Sequence, residues 1–270
     1  MKMFYRGSAH HIVVVPREDV SLFKSILKGD AVDIYVQNDL VDDIYYAKWF
    51  VDLIRRIAPN QLWRFNKFAG RPGWIIQQIV KLNIPKIVDS HQVAILDSDV
   101  VFCRPFDDLH LDNQSGKRIL VRREPKQESA RHREHVKESR RILHLPEGNT
   151  DHHYMAWPCI WYPDWVKELT KYLGAIHGKF WQRVLYDAGT ISEYNLYGVF
   201  VEEVLRPKNL RIRKESFHHI IWDEKSYNEM FSRPLKIDND KICLVIQSNL
   251  SVSVDTYKKY VEKIWELYND

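Results

Sequence analysis

Val93-Ala-Ile-Leu-Asp97-Ser-Asp99 decides how the rest of the chain is read. Four apolar residues end in two carboxylates one residue apart. A short apolar run bounded in this way reads as a buried strand. Open α/β sheets take their ligands at the carboxyl ends of their strands, so the pair belongs at the edge of a site. Two hard oxygen ligands there suit Mg²⁺ or Mn²⁺ bridging to phosphate oxygens. The competing reading is a strand followed by an Asp-Ser turn. Val-Val-Phe-Cys-Arg-Pro-Phe-Asp (100–107), directly downstream, favours the site.

Upstream, His11 to Pro16 reads as a first buried strand stopped by Pro16, and Ser21 to Leu27 as a short helix. Asp33 to Val36 is a second strand, followed by polar Gln37-Asn38-Asp39, and Tyr45 to Ile57 fits an amphipathic helix. Strand, helix, strand, helix predicts an α/β fold with a mostly parallel sheet flanked by helices. Gly70 to Leu82 then opens on Pro72, a helix-start signal. Ile75, Ile76, Ile79, Val80 and Leu82 give it one apolar face. Trp74, Gln78 and Lys81 share another at i, i+4 and i+7, which either meets solvent or borders the Asp97 site.

Downstream, residues 117–141 hold ten Lys or Arg against four Glu, with little apolar periodicity. Such a run reads as a solvated helix or loop, or as a basic lid facing an anionic acceptor or a lipid surface. His153 to Tyr162 is an aromatic-rich strand or strand pair broken at Pro158. Asp164–Leu173, Ile191–Val204 and Val254–Tyr268 read as helices, Phe217–Trp222 and Ile242–Ile246 as extended. No repeat, low-complexity tract or Pro/Gly linker divides the chain, which reads as one domain over residues 1–270.

The bulk numbers set bounds. With 45% hydrophobic and 13% aromatic residues in 270, the chain can build a substantial core. A formal net charge of +4 makes no case for a nucleic-acid partner. Three well-separated cysteines with no C-x-x-C argue against a disulfide framework and for a reducing cytosol. The apolar run Ile12 to Val15 is too short for a signal peptide, and no stretch approaches a membrane span. No two glycines are spaced as G-x-G, and Walker A, H-E-x-x-H and G-x-S-x-G patterns are absent.

Gly70-Arg-Pro-Gly-Trp-Ile-Ile-Gln-Gln-Ile-Val-Lys-Leu (70–82), the Asp97/Asp99 pair, Thr190-Ile-Ser-Glu-Tyr-Asn-Leu-Tyr-Gly (190–198) and Ser216-Phe-His-His-Ile-Ile-Trp (216–222) come in that order. The set resembles the GT-A class of glycosyltransferases. More narrowly, it resembles an uncharacterised bacterial family with G-W-x-x-Q-Q-x-x-K-L, D-x-D-x-x-F-x-R-P and S-E-Y-x-x-Y-G motifs. The resemblance implies a GT-A-like fold and a metal-dependent enzyme moving a sugar from a nucleotide-sugar donor to a saccharide or glycolipid acceptor. It also implies a role in surface polysaccharide synthesis, in the cytoplasm or at the inner face of the membrane.

By the same resemblance, Asp99 binds Mn²⁺ or Mg²⁺ directly, Asp97 contacts the ribose or the metal through water, and His219 is a third ligand. Strand alternation turns one of His218 and His219 inward without saying which. Pro16, Arg17, Asp39, Trp74, Gln78, Lys81, Asp97 and Ser98 fall to the donor, and Trp157, Tyr194 and Tyr197 to the acceptor. Glu193 is the candidate general base of an inverting reaction. Against this, Thr190-x-x-Glu193 is a capping-box pattern with a purely structural meaning. The retaining-family pattern H-x-x-G-x-x-K-P-W is missing.

Two rival enzymes fit parts of the pattern. Asp-Ser-Asp-Val-Val (97–101) also suits a haloacid-dehalogenase-like phosphatase, but the later acidic motif is absent. A nucleotidyltransferase would need a Gly- and Lys-rich opening loop. A sugar- or nucleotide-binding module without turnover is the non-enzymatic alternative.

Overall fold

Apolar runs alternating with amphipathic segments give a mixed α/β chain in the computed structural model, which describes residues 4–28, 32–41, 53, 56–57, 72–107, 116–124, 130–188, 191–221, 224–231, 238, 240–246 and 253–269. Strand β1 (His11–Val15) lies parallel to β2 (Val32–Val36), in register from His11↔Val32 to Val15↔Val36. Helix α1 (Val20–Ile26) makes the crossover that a parallel pair needs. A one-turn helix, α2 (Gln37–Leu40), follows β2.

The apolar run before Asp97 forms only a three-residue strand, β3 (Val93–Ile95). Its partner is β6 (Cys159–Trp161), and the pair is antiparallel. The neighbour of the Asp97 strand is thus the end of the aromatic run 153–162. Strand β4 (Val100–Phe102) pairs antiparallel with β9 (Cys243–Ile246), which runs parallel to β8 (His218–Ile221). Strand β5 (Arg118–Val121) runs parallel to β7 (Leu210–Arg213). Three of these five pairs, among the described residues, are parallel.

The basic stretch 117–141 is part strand and part helix among its described residues. Its first residues enter β5, where Ile119, Leu120 and Val121 are buried. Three apolar residues between charged ones are too few to show a period, which is why the strand is silent in the sequence. Its second half is helix α4 (Ala130–Ile142), with His135, Val136, Ser139, Arg140 and Ile142 buried. Arg140 can be buried because Glu203 pairs with it, and Arg122 is paired with Glu202 in the same way. The helix expected over Tyr45–Ile57 falls largely outside the described residues.

Helix α3 (Pro72–Leu82) forms where the Gly70–Leu82 pattern predicts it, burying Ile75, Ile76, Ile79 and Leu82. Helices α5 (Pro163–His177) and α6 (Trp181–Asp187) follow β6, and α5 ends on Gly178 with φ +60°, the left-handed stop that glycine tolerates. Helix α7 (Glu193–Val199) packs against α3 and α4, and all seven of its residues are buried. It runs on into a π-helical segment, Phe200–Leu205. Helices α8 (Glu224–Phe231) and α9 (Val254–Asn269) complete the described elements.

Aromatic rings form the centre of the core. Trp161 stacks on Tyr197 at 4.8 Å. The Tyr197 hydroxyl accepts from the Tyr162 amide (3.1 Å), and the Tyr162 hydroxyl accepts from the Ile119 amide (2.9 Å). Gly198 lets Tyr154 lie directly on α7: a Cβ there would stand 2.0 Å from the Tyr154 ring. Cys103, Cys159 and Cys243 are free thiols buried in this core. Among the described residues no helix is long and apolar enough to cross a membrane.

Candidate functional site

Three sequence motifs converge on one ammonium group. Lys81, on the last turn of α3, donates to Asp97 Oδ1 (2.6 Å), Glu193 Oε1 (2.8 Å) and the Tyr194 hydroxyl (2.9 Å). The Tyr194 hydroxyl donates onward to Asp97 Oδ1 (3.2 Å), and Trp157 Nε1 donates to Asp97 Oδ2 (3.0 Å). Trp157 and Tyr194 meet edge to face at 5.8 Å. Gln78, one turn before Lys81, accepts the Glu193 amide on its Oε1 (3.0 Å) and so fixes the start of α7. Gln78 and Lys81 on α3 thus face partners in the interior and not solvent.

Ser192 caps α7, its Oγ accepting from the Asn195 amide (3.4 Å). Glu193 is the first residue of the helix, so its carboxylate stands at the positive end of the helix dipole. Its side chain turns to Lys81, and Thr190, the other half of the expected capping box, lies outside the described residues. The Glu193 side chain keeps 5% of its surface exposed.

The charges at this node are buried and coupled. Burial pulls the Lys81 pKa down, but Glu193 and Asp97 more than reverse it, leaving the lysine above its ordinary value and charged. Burial raises Glu193, and Lys81 holds part of that rise back, so the carboxylate ends more basic than an ordinary glutamate. Burial, then Asp97 and Glu193, push the Tyr194 phenol well up, which keeps it a hydrogen-bond donor. An oxygen base of raised pKa in an enclosed site is the equipment of proton abstraction.

Other expected residues stand elsewhere. Asp99 diverges from Asp97: its carbonyl accepts from the Ile246 amide (3.1 Å), and its charge, after burial, helps raise Tyr257 on α9. Ser98 is exposed. Arg17 and Asp39 pair with each other (2.9 Å) at the ends of β1 and β2, beside Pro16, with both side chains exposed. Trp74 packs against His135 at 6.2 Å. Tyr197 is 1% exposed, with its ring on Trp161 and its hydroxyl on the Tyr162 amide, so it offers a ligand no surface. A half-buried His219 feels Asp238 and Lys241 after its burial, and His218 is the histidine that faces inward, against Trp157.

These placements bear on a divalent cation. Among the described residues no three His, Cys, Asp or Glu side chains form a group that could hold a metal ion. Asp97 already accepts three hydrogen bonds, one from a fixed ammonium. Asp97 is thus fully engaged by Lys81, Tyr194 and Trp157. The sequence also hides the Trp157–Asp97 bond and the place of Lys81 at the centre, since contacts between distant segments leave no local signal. A separate cavity of about 560 Å³, bordered by Arg122, Arg140, His152, Glu202 and Glu203, holds none of the Lys81 cluster.

The chain belongs to a family of unknown function, DUF6492, which matches residues 1–269. No curated protein matches it. Among solved structures, the apo form of mouse xyloside xylosyltransferase 1 is similar at 12% identity, covering 93% of this chain and 90% of that one, with a TM-score of 0.44. At that distance the site has to be read from its own residues.

Proposed function

We propose that the chain is a GT-A-like glycosyltransferase that moves a sugar from a nucleotide-sugar donor to a hydroxyl of a saccharide or glycolipid acceptor, with Glu193 as the general base. The observation that carries this reading is the meeting of the three motifs at Lys81, within 3 Å of Asp97, Glu193 and Tyr194. Glu193 Oε1 is held by Lys81, and the Glu193 carboxylate is the group that would receive the acceptor proton. Trp157 and Tyr194 pack edge to face beside it. Asp99 is the residue that would hold Mn²⁺ or Mg²⁺ against the donor diphosphate, and no step is routed through the ion. The role in surface polysaccharide synthesis and the location on the inner face of the membrane rest on the motif resemblance alone.

The test is a transfer and hydrolysis screen of nucleotide sugars, read beside melting temperature. A bound donor at 100 times its Kd stabilises by about 2.7 kcal/mol, which a thermal shift detects. With a donor in hand, Glu193→Gln should lower kcat by about 10²-fold or more while donor affinity changes little. Turnover in Glu193→Gln equal to wild type would end the base assignment. A full panel that neither binds nor turns over would end the glycosyltransferase reading.

A further inference from the structure

A second cluster, made of four basic side chains, lies behind Trp157. Arg123 follows β5 and His132 lies in the first turn of α4; His153 comes from the loop before β6, and His218 opens β8. Arg123 and His153 are directly opposed in an antiparallel bridge, each amide bonded to the other's carbonyl (2.9 and 3.0 Å). Directly opposed residues of such a bridge project to the same face. The His132 ring lies 4.5 Å from that of His153, and the His218 ring packs edge-on against Trp157 at 5.3 Å.

The hydrogen-bond inventory here does not close. The Trp157 amide donates to His218 Nδ1 (3.0 Å), which places the ring proton of a neutral His218 on Nε2. Nε2 in turn stands 3.2 Å from Arg123 Nη1, and a guanidinium only donates. One lone pair cannot serve both Trp157 and Arg123, so one contact sets donor against donor. His153 repeats the pattern, since its Nδ1 accepts from the Met155 amide (3.2 Å) and its proton is left on Nε2. No carboxylate of a described residue pairs with Arg123, His153 or His218. Burial is what lowers the Arg123 pKa. A half-buried guanidinium without a counter-charge is costly, and an acceptor that meets it offsets that cost.

We infer that Arg123, His218 and His153 form an oxyanion site, in which the oxygens of a phosphoryl or carboxylate group accept from the Arg123 guanidinium and from the Nε2 protons of the two histidines. The site shares Trp157 with the Lys81 cluster: the indole binds Asp97 on one side and its backbone amide binds His218 on the other. The oxyanion site stands on its own residues, whether or not Glu193 is a base.

The probes are inorganic pyrophosphate and glucuronate, titrated separately into the full chain and followed by calorimetry and by the ring ¹⁵N signals of the histidines. One of the two should bind saturably and move the Nε2 signals of His218 and His153. The stronger ligand tells a phosphoryl source from a carboxylate one. Arg123→Gln should lose at least tenfold in affinity, while the surface variant Arg183→Gln should stay within twofold of wild type. If Arg123→Gln does not fold, the wild-type histidine signals decide. The inference is overturned if neither probe binds saturably, if binding leaves the His218 and His153 signals in place, or if folded Arg123→Gln binds as wild type does. A chain that binds pyrophosphate here and turns over no nucleotide sugar keeps this site and loses the proposed function.

Discussion

Lys81 shows how much one buried charge can organise. Its ammonium stands between two carboxylates and a phenol at 12% exposure, with Asp97 and Glu193 at 22% and 5%. Removing it leaves two enclosed carboxylates with no counter-charge. Lys81→Met should therefore cost about 3–5 kcal/mol in denaturant unfolding, far more than the loss of a surface pair. The loss should shrink in acid, because protonating one of the stranded carboxylates removes the repulsion. A Lys81→Met protein as stable as wild type at neutral pH would show that the ammonium is not what holds the carboxylates. Lys81, Asp97 and Glu193 each stood out in the sequence from its own motif, and the structure brings the three together. That they share one proton-rich contact was not legible, because 16 and 112 residues separate Lys81 from its two partners.

At the scale of elements, helix α7 explains the glycine of the Ser-Glu-Tyr-x-x-Tyr-Gly motif. The ring of Tyr154 occupies the place of a side chain at 198, and its hydroxyl donates to Glu202 Oε2 (2.9 Å). Gly198→Ala must push that ring out of a packed core and should cost at least 1–3 kcal/mol, read as a lower denaturation midpoint with unchanged slope. A midpoint equal to that of wild type would mean that the ring yields without strain. The periodic helices, α3 and α5 among them, were readable because an apolar stripe recurs over several turns. Strands β3 and β6 were located but their pairing was not readable, since three residues carry no record of partner or direction. Strand β5 and Arg140 were missed for a related reason. Charged residues look solvated in a sequence, and only the fold reveals that Glu203 waits for Arg140 and Glu202 for Arg122.

Over the whole molecule, the buried histidines link stability to pH. Burial, with the nearby charges of His132 and Arg123, pushes His153 down to about 3. The unfolded chain binds a proton at this residue near its ordinary pKa of 6.5, and the folded chain does not until about 3. The contribution is thus complete above pH 6.5 and is lost as pH falls toward about 3, at up to about 1.4 kcal/mol per pH unit. His153→Gln should flatten the acid limb of a plot of unfolding free energy against pH, and an unchanged limb would assign the acid sensitivity to other groups. The three thiols carry a different consequence. Cys103 and Cys243 are 0% exposed and Cys159 is 7%, and burial pushes Cys103 up to about 12. Only the thiolate reacts with an alkylating reagent, so the folded chain should be inert to maleimide and each molecule should take up its labels together when it opens. Mass spectra should then show unlabelled and triply labelled chains with little between, making the cysteines a built-in clock for global opening.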